Sequence, residues 1–359
     1  MNAAITAIAY ATGENRFTHG MLRERLGAET ADKIAEMSGI WQRRVVDSKT
    51  CASDLAEKAV RLLGREKLAA PEDFDLLVFA TQTPDYAMPS TACIMQDRLG
   101  LRKTCAAFDV NLGCSQFPYS LATAAAWINS GLAKKALVIT ADTPSRLIHP
   151  LDKSAVSLFG DAAAAAVVER SDENSIVDFD FGTNGAGFAD LICPTSGMRN
   201  PPKPEDFEEY RDENGNVRTN ANMKIDGLKI FAFAYKTVPQ SVNRLLGKNG
   251  LSVDDIDLFV FHQAGEMIVS AAAKRLKIPR SKLHFKMHDI GNCGGASAPI
   301  ALADAAAHGV LKAGMKVVVC AFGVGLSWGS ALINWSGSFR GAATADDYSD
   351  SPAKPQSQM

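Results

Sequence analysis

Glu72-Asp73-Phe74-Asp75-Leu76-Leu77-Val78-Phe79 recurs further along the chain as Asp254-Asp255-Ile256-Asp257-Leu258-Phe259-Val260-Phe261. Each copy is an acidic turn that runs into an unbroken apolar stretch, the pattern of a strand buried on both faces. A second pair keeps almost the same register. Asn111-Leu112-Gly113-Cys114 with Pro118-Tyr119-Ser120-Leu121-Ala122 matches Asn292-Cys293-Gly294-Gly295 with Pro299-Ile300-Ala301-Leu302-Ala303. Chance explains one match between Ala-rich helices, but not two separated segments that hold one spacing. The chain is therefore read as two similar α/β halves, 1–172 and 173–335, joined near residues 170 to 178.

The halves differ where chemistry belongs. Apolar Ala106 to Val110 reads as a strand, and Ser115 to Ser130 as a helix with Leu121, Ala124, Ala125 and Ile128 at helical spacing. Cys114 stands on the turn between them. A helix N-terminus favours an anion, so the thiol is expected to be acidified and to act as a nucleophile in acyl transfer. A cysteine beside a helix start is also a common core filler. In the second half the equivalent of Cys114 is Gly295. His262 and Gln263 follow the repeated strand there, at the strand end where open α/β sheets bind ligands, and Asn292 opens a Gly-rich turn. Taken singly, His262 reads more readily as a satisfied core histidine at a strand end, and Asn292 can be merely a turn residue.

Bulk properties narrow the function. The 359 residues are 47% apolar and 22% charged with a net charge of −2, an ordinary globular balance without the basic bias of a nucleic-acid or membrane binder. Seven scattered cysteines without CxxC or Cys/His spacing argue against a disulfide framework or a metal site and fit a reducing cytoplasm. Met1 to Tyr10 reads as a first strand. Val317 to Trp335 is apolar but rich in Gly and Ser, so it reads as two buried strands around a turn instead of a membrane span. The Ser/Asp/Pro/Gln-rich residues 336–359 read as a disordered tail.

Several further stretches fall into one pattern. Ala80-Thr81-Gln82-Thr83-Pro84-Asp85, Pro89-Ser90-Thr91-Ala92-Cys93, Gly113-Cys114-Ser115, Phe159-Gly160-Asp161-Ala162, His262-Gln263-Ala264, Gly291-Asn292 and Phe322-Gly323-Val324-Gly325-Leu326-Ser327-Trp328-Gly329 occur in this order. The chain so resembles the thiolase-like condensing enzymes, and among them the β-ketoacyl-acyl-carrier-protein synthase III family, over nearly its whole length to Trp335. The resemblance implies a duplicated α-β-α-β-α layered fold and a homodimer, and since no nucleotide-phosphate loop, metal cluster or redox motif is present, no cofactor is expected beyond the pantetheine of the substrates. It implies that Cys114 takes an acyl group from an acyl-CoA or acyl-carrier-protein thioester. His262 and Asn292 then stabilise the enolate of a decarboxylating malonyl thioester, and the backbone N–H groups of Cys114 and Val324 form an oxyanion hole. An acyltransferase passing acyl-Cys114 to an alcohol or amine is the alternative.

The chain departs from that family around the substrate. Lys33 and Met37 stand where a Trp and an Arg are usual, Lys153 where an Arg stacks on adenine, and Gly265 and Met267 where an Asn and an Arg follow the histidine. Arg43, Arg44, Lys153, Lys274 and Arg275 remain as candidate phosphopantetheine or carrier contacts. Gln116 replaces a small residue and is a candidate donor to a polar acyl group. Met88 stands where a gating aromatic reaches the partner's acyl pocket, and the polar segment 196–224 is expected to be a long loop capping the substrate entrance.

Overall fold

The computed structural model describes residues 2–344. The main strands, in chain order, are β1 (Asn2–Thr12), β2 (Leu76–Ala80), β3 (Ala106–Val110), β4 (Lys135–Asp142), β5 (Ala162–Ser171), β6 (Ile176–Thr183), β7 (Leu258–Phe261), β8 (Lys316–Gly323), β9 (Ser327–Asn334) and β10 (Gly341–Thr344). The helices that bear on the site are α1 (Ala52–Arg65), α2 (Thr91–Arg98), α3 (Gln116–Asn129), α4 (Gly227–Lys248), α5 (Glu266–Arg275) and α6 (Ser297–Ala307).

The strands form two sheets of matching connectivity. The first has the order β10-β1-β5-β4-β2-β3, and the second β7-β8-β9-β6. β2 runs parallel to β4, β4 antiparallel to β5, and β5 antiparallel to β1. β7, β8, β9 and β6 repeat these three relations. Where β2 also pairs with β3, β7 has only an isolated parallel bridge between Phe259 and Leu283. The repeat in sequence is thus a repeat in space, and β5 passes to β6 through 172–175.

Helices α3 and α6 lie between the sheets. Phe117, Leu121, Ala124 and Ile128 of α3 share one core with Ile300, Ala301, Leu302 and Ala305 of α6 and with Val78, Val138, Val260 and Val319 from the strands, all 2% exposed or less. Outer layers close each sheet, with α1 and α2 on the first and α4 and α5 on the second. Burying apolar area at about 25 cal/mol per Å² makes these layers the main stabilising term, and helices on both faces of each sheet explain why the strands carry unbroken hydrophobic runs.

Two expectations change. Residues 336–344 are not a tail: β10 pairs in parallel with β1, from Ala7 opposite Gly341 to Tyr10 opposite Thr344. A Gly-Ala-Ala-Thr strand is too short and too poor in strand formers to be read from sequence. The remainder of that expected tail, 345–359, lies outside the described residues. The segment 196–224 is not a plain loop either. Tyr210–Arg211 pairs with Val217–Arg218, and Lys224–Ile225 pairs with Leu191–Ile192. A buried Arg218 anchors it, its Nε donating to Asp152 Oδ2 at 2.7 Å.

Candidate active site

Cys114 occupies the turn between β3 and α3, where Gln116 N–H donates to Gly113 O at 2.9 Å. The turn needs its glycine, because a β-carbon on Gly113 would lie 2.1 Å from Val324 Cγ1. Gly323 is needed equally, since the Cys114 sulfur sits 2.5 Å from where its β-carbon would stand. The Gly323–Leu326 turn of the second half is fastened to the nucleophile turn by hydroxyls. The Ser115 and Ser327 oxygens are 2.7 Å apart, and Ser327 Oγ donates to Val324 O at 2.8 Å.

The thiol is 8% exposed, and its burial overturns the expected acidification. Desolvation pushes Cys114 up to about 11, and the Asp142 carboxylate adds to the rise. Backbone N–H groups of Val324 and of Cys114 itself pull the other way. Loss of water outweighs the helix end, so the resting group is the thiol. Those two N–H groups are also the donor pair expected of an oxyanion hole.

His262 follows β7 and is 2% exposed, with its N–H donating to Cys320 O at 2.8 Å. Its ring meets the edge of Phe322, centroids 5.7 Å apart, and Phe322 adjoins Gly323 beneath the Cys114 sulfur. Burial lowers His262 to about 3, which makes it a neutral imidazole at physiological pH. Nδ1 is buried without a hydrogen-bond partner. Asn292 bridges to Phe159, giving its N–H to Leu158 O and accepting from Gly160 N–H. Its side-chain oxygen accepts from Gly294 N–H at 3.1 Å, which engages the oxygen and identifies the amide nitrogen as the donor end of the group. The tie between halves is again close: a β-carbon on Gly295 would meet Gln116 at 2.0 Å. Cys114 from the first half is thereby joined to the turns that carry Val324 and Asn292 in the second.

The substrate-binding expectations fare differently. Lys153 lines a cavity of about 1080 Å³ together with Met37, Ser157, Asn214, Gly265 and Met267, and its Nζ donates to Asn214 O at 2.9 Å. Ala264 and Gly265, just past His262, and Leu158, beside the strand bridge to Asn292, place this cavity next to the site. Arg43 does not face it. Its guanidinium is buried, donates to Phe159 O at 2.8 Å and stacks over Phe17 at 4.2 Å, so it is a structural post. Arg275 packs on the middle of α4, donating to Tyr235 O at 3.0 Å with its guanidinium over the Tyr235 ring, and Lys274 is exposed at the end of α5; neither lines the cavity. Gln116 is fully buried, and its amide nitrogen donates to Asp142 Oδ2 at 3.0 Å instead of facing an acyl group. Met88 stands 85% exposed on the surface. Sequence reading missed Asp142, whose one signal is a charge closing the apolar run of β4, and missed the Ser115–Ser327 clasp, which has none.

Among the described residues no group of three His, Cys, Asp or Glu side chains is arranged to hold a metal, and no helix is long and apolar enough to cross a membrane. The family model for 3-oxoacyl-[acyl-carrier-protein] synthase III matches residues 108–185, and that for its C-terminal part residues 246–335. The β-ketoacyl-[acyl-carrier-protein] synthase III of Caldanaerobacter subterraneus is 38% identical over 310 residues, 86% of this chain and 91% of that protein.

This chain belongs to the β-ketoacyl-acyl-carrier-protein synthase III family.

Solved structures agree with the assignment. A 3-oxoacyl-(acyl-carrier-protein) synthase III crystal structure superposes with a TM-score of 0.91 at 38% identity, covering 93% of this chain and all of the other. The 3-oxoacyl-(acyl-carrier protein) synthase of Burkholderia xenovorans gives 0.88 at 30% identity, covering 96% and 97%. The fold is thus the thiolase-like duplicated one, with Cys114 within the first matched family segment and His262, Asn292 and Val324 within the second.

Proposed function

We propose that this synthase III family member condenses an acyl thioester with a malonyl thioester, with Cys114, His262 and Asn292 as its working side chains. The observation that carries the reading is the seat of the Cys114 sulfur, over bare Gly323 and between the Val324 and Cys114 N–H groups, with a neutral histidine and an asparagine amide supplied from the other half. In the first step the sulfur attacks the acyl carbonyl of an acyl-CoA or acyl-carrier-protein thioester. The two N–H groups hold the tetrahedral oxyanion, and the donor thiol leaves with the Cys114 proton. Malonyl thioester then loses CO₂, and the electron pair of that C–C bond becomes an enolate. His262 and Asn292 donate to its oxygen, each worth roughly 3 kcal/mol in a dry site. The enolate carbon attacks acyl-Cys114, the cysteine sulfur leaves, and a β-ketoacyl thioester is released.

A homodimer in the cytoplasm is part of the proposal. β3 is an edge strand of the first sheet with half-buried residues throughout, and an unpaired edge of this kind pairs readily with a second copy. Met88, exposed in its own protomer, then becomes a contact to a partner's acyl pocket. The test is intact-protein mass spectrometry of wild type and Cys114→Ala after incubation with acyl-CoAs and then malonyl thioester. One acyl mass on wild type alone, discharged with CO₂ and a ketoacyl product, is the expected result. Discharge only to an alcohol or amine replaces condensation with plain acyl transfer, and loading of the mutant removes Cys114 from the mechanism.

A further inference from the structure

A buried carboxylate beside the nucleophile has no part in the condensation steps. Asp142 ends β4 and is 4% exposed. Four donors surround it. Oδ1 accepts from the Gln82 backbone N–H at 2.8 Å and from the Thr81 hydroxyl at 3.3 Å. Oδ2 accepts from Gln116 Nε2 at 3.0 Å and, more weakly, from the Gly295 N–H at 3.4 Å. A protonated carboxyl needs an acceptor for its own hydrogen, so a ring made only of donors fits the ionised form. Among the described residues no cationic side chain pairs with it. A charge buried without a counterion is costly, and a fold that retains one beside its nucleophile gives that charge a role.

The four donors come from the segments that wall Cys114. Gln116 lies two residues after it. Gln82 packs on Gly113, where a β-carbon would lie 2.4 Å from Gln82 Oε1. Gly294 and Gly295 continue the turn that begins at Asn292, and a β-carbon on Gly294 would lie 2.9 Å from Asp142 Oδ2. The carboxylate is therefore a joint between the nucleophile turn of one half and the asparagine turn of the other.

We propose that Asp142 is a positioning residue for the nucleophile: it fastens the Cys114 turn to the Asn292–Gly295 turn, and its negative charge adds to the burial that disfavours ionisation of Cys114. The proposal rests on the reading of Cys114 as the nucleophile. Helix α3, the 294–296 turn, β2 and β9 carry no charged side chain, Asp109 of β3 turns away to the start of α2, where it accepts from the Thr91 and Ala92 N–H groups at 2.7 Å, and His262 after β7 is neutral. Asp142 is accordingly the single side-chain charge that bears on the thiol. A thiol reacts slowly with oxidants and alkylating agents, whereas the thiolate is the reactive form. Acylation proceeds once a substrate carbonyl lies between the two N–H donors and the developing negative charge moves from sulfur to their hydrogen bonds.

The test is the pH dependence of Cys114 alkylation by iodoacetamide, read as added mass on the intact protein, in wild type, Asp142→Asn and Gln116→Met. The expected result is a midpoint in Asp142→Asn about one pH unit below wild type, which raises alkylation near pH 7.5 roughly tenfold. Gln116→Met keeps the charge and loses one strap, so its alkylation midpoint stays near wild type while kcat falls. Superimposable profiles for wild type and Asp142→Asn overturn the proposal. Should Asp142→Asn fail to fold, Gln116→Met decides: a fall in kcat with the alkylation midpoint unchanged supports the joint, and a wild-type kcat overturns it. Failure of wild type to accept an acyl group is a separate outcome, which strikes the condensing function and leaves the alkylation profile readable.

Discussion

The Cys114 sulfur rests on the backbone of Gly323, with 2.5 Å from Sγ and 2.7 Å from the Cys114 β-carbon to the point where a side chain at Gly323 would begin. No rotation of a cysteine relieves a clash that includes its own β-carbon. Gly323→Ala must therefore displace the nucleophile from its two N–H donors. A displacement of about 1 Å costs on the order of 100-fold in rate. Acyl loading measured by mass spectrometry is expected to fall by that factor while the melting temperature changes little. Loading at the wild-type rate would show that Cys114 works from another position.

His262 and Asn292 act on the second substrate, so their removal separates the two steps. His262→Ala and Asn292→Ala are expected to load an acyl group within a few-fold of wild type and to lose about 10²–10³ in malonyl decarboxylation. Burial lowers His262 to about 3, so the imidazole does not change charge between pH 5 and 8. The decarboxylation rate should show no break near 6.5, and a break there would place a titrating histidine in the step.

Asp142 and His262 oppose one another in acid. Burial raises Asp142 to about 6, so the folded chain binds a proton there below pH 6 that the unfolded chain binds only below about 4. That linkage stabilises the fold as pH falls through this window and is lost as pH rises through 6. The buried neutral His262 does the reverse: the unfolded chain takes up its proton below about 6.5, whereas the fold refuses it until about 3. Asp142→Asn removes the first effect and leaves the second. Between pH 6 and 4 the variant is expected to lose roughly 2 kcal/mol more stability than wild type, measured by denaturant melts at pH 6, 5 and 4. Parallel pH slopes would show that Asp142 titrates alike in both states.

Much of this was written in the chain at short range. The repeated strands at Phe74 and Ile256 could be read because both faces of each are covered by helices, which makes the runs wholly apolar, and the Gly-Cys turn could be read because a strand pattern stops there. What depends on covering by distant residues could not. The sign of the Cys114 shift is set by second-half segments that exclude water from it. Arg43 belongs to a short strand, Gln42–Val45, paired antiparallel with Asn15–Thr18 across two intervening helices, and its alternation gives no hint that its guanidinium turns inward to Phe159. The donors around Asp142 are scattered from Thr81 to Gly295, and nothing local marks them as one cluster.

Arg218 ties the 196–224 segment to the wall of the cavity. Its guanidinium donates to both oxygens of fully buried Asp152, at 2.7 and 3.2 Å, and to Ser154 Oγ at 2.8 Å. Arg218→Ala leaves that carboxylate buried and unpaired, at a cost of about 3 kcal/mol. Lower thermal stability is expected together with faster proteolysis around 199–216. Unchanged proteolysis would mean that the strand pairings hold the segment unaided.

β10 covers the outer edge of the first sheet, and Arg340 pins it there. Arg340 N–H donates to Thr6 O at 2.7 Å, and its guanidinium forks onto Glu169 at 2.7 and 2.9 Å while also meeting the Thr6 hydroxyl and Leu68 O. Without β10, β1 presents a row of unpaired N–H and C=O groups along an Ala-rich strand, which is a template for pairing with another chain. Deletion of residues 337–359 is expected to lower the melting temperature by roughly 2–6 °C and to increase light scattering on incubation. Arg340→Ala, which removes the pin and leaves the strand, should reproduce part of the thermal loss without the scattering. If the deletion melts as wild type does and stays clear, the edge of β1 is already protected by its twist and short exposed length, and β10 adds nothing to the stability of the sheet.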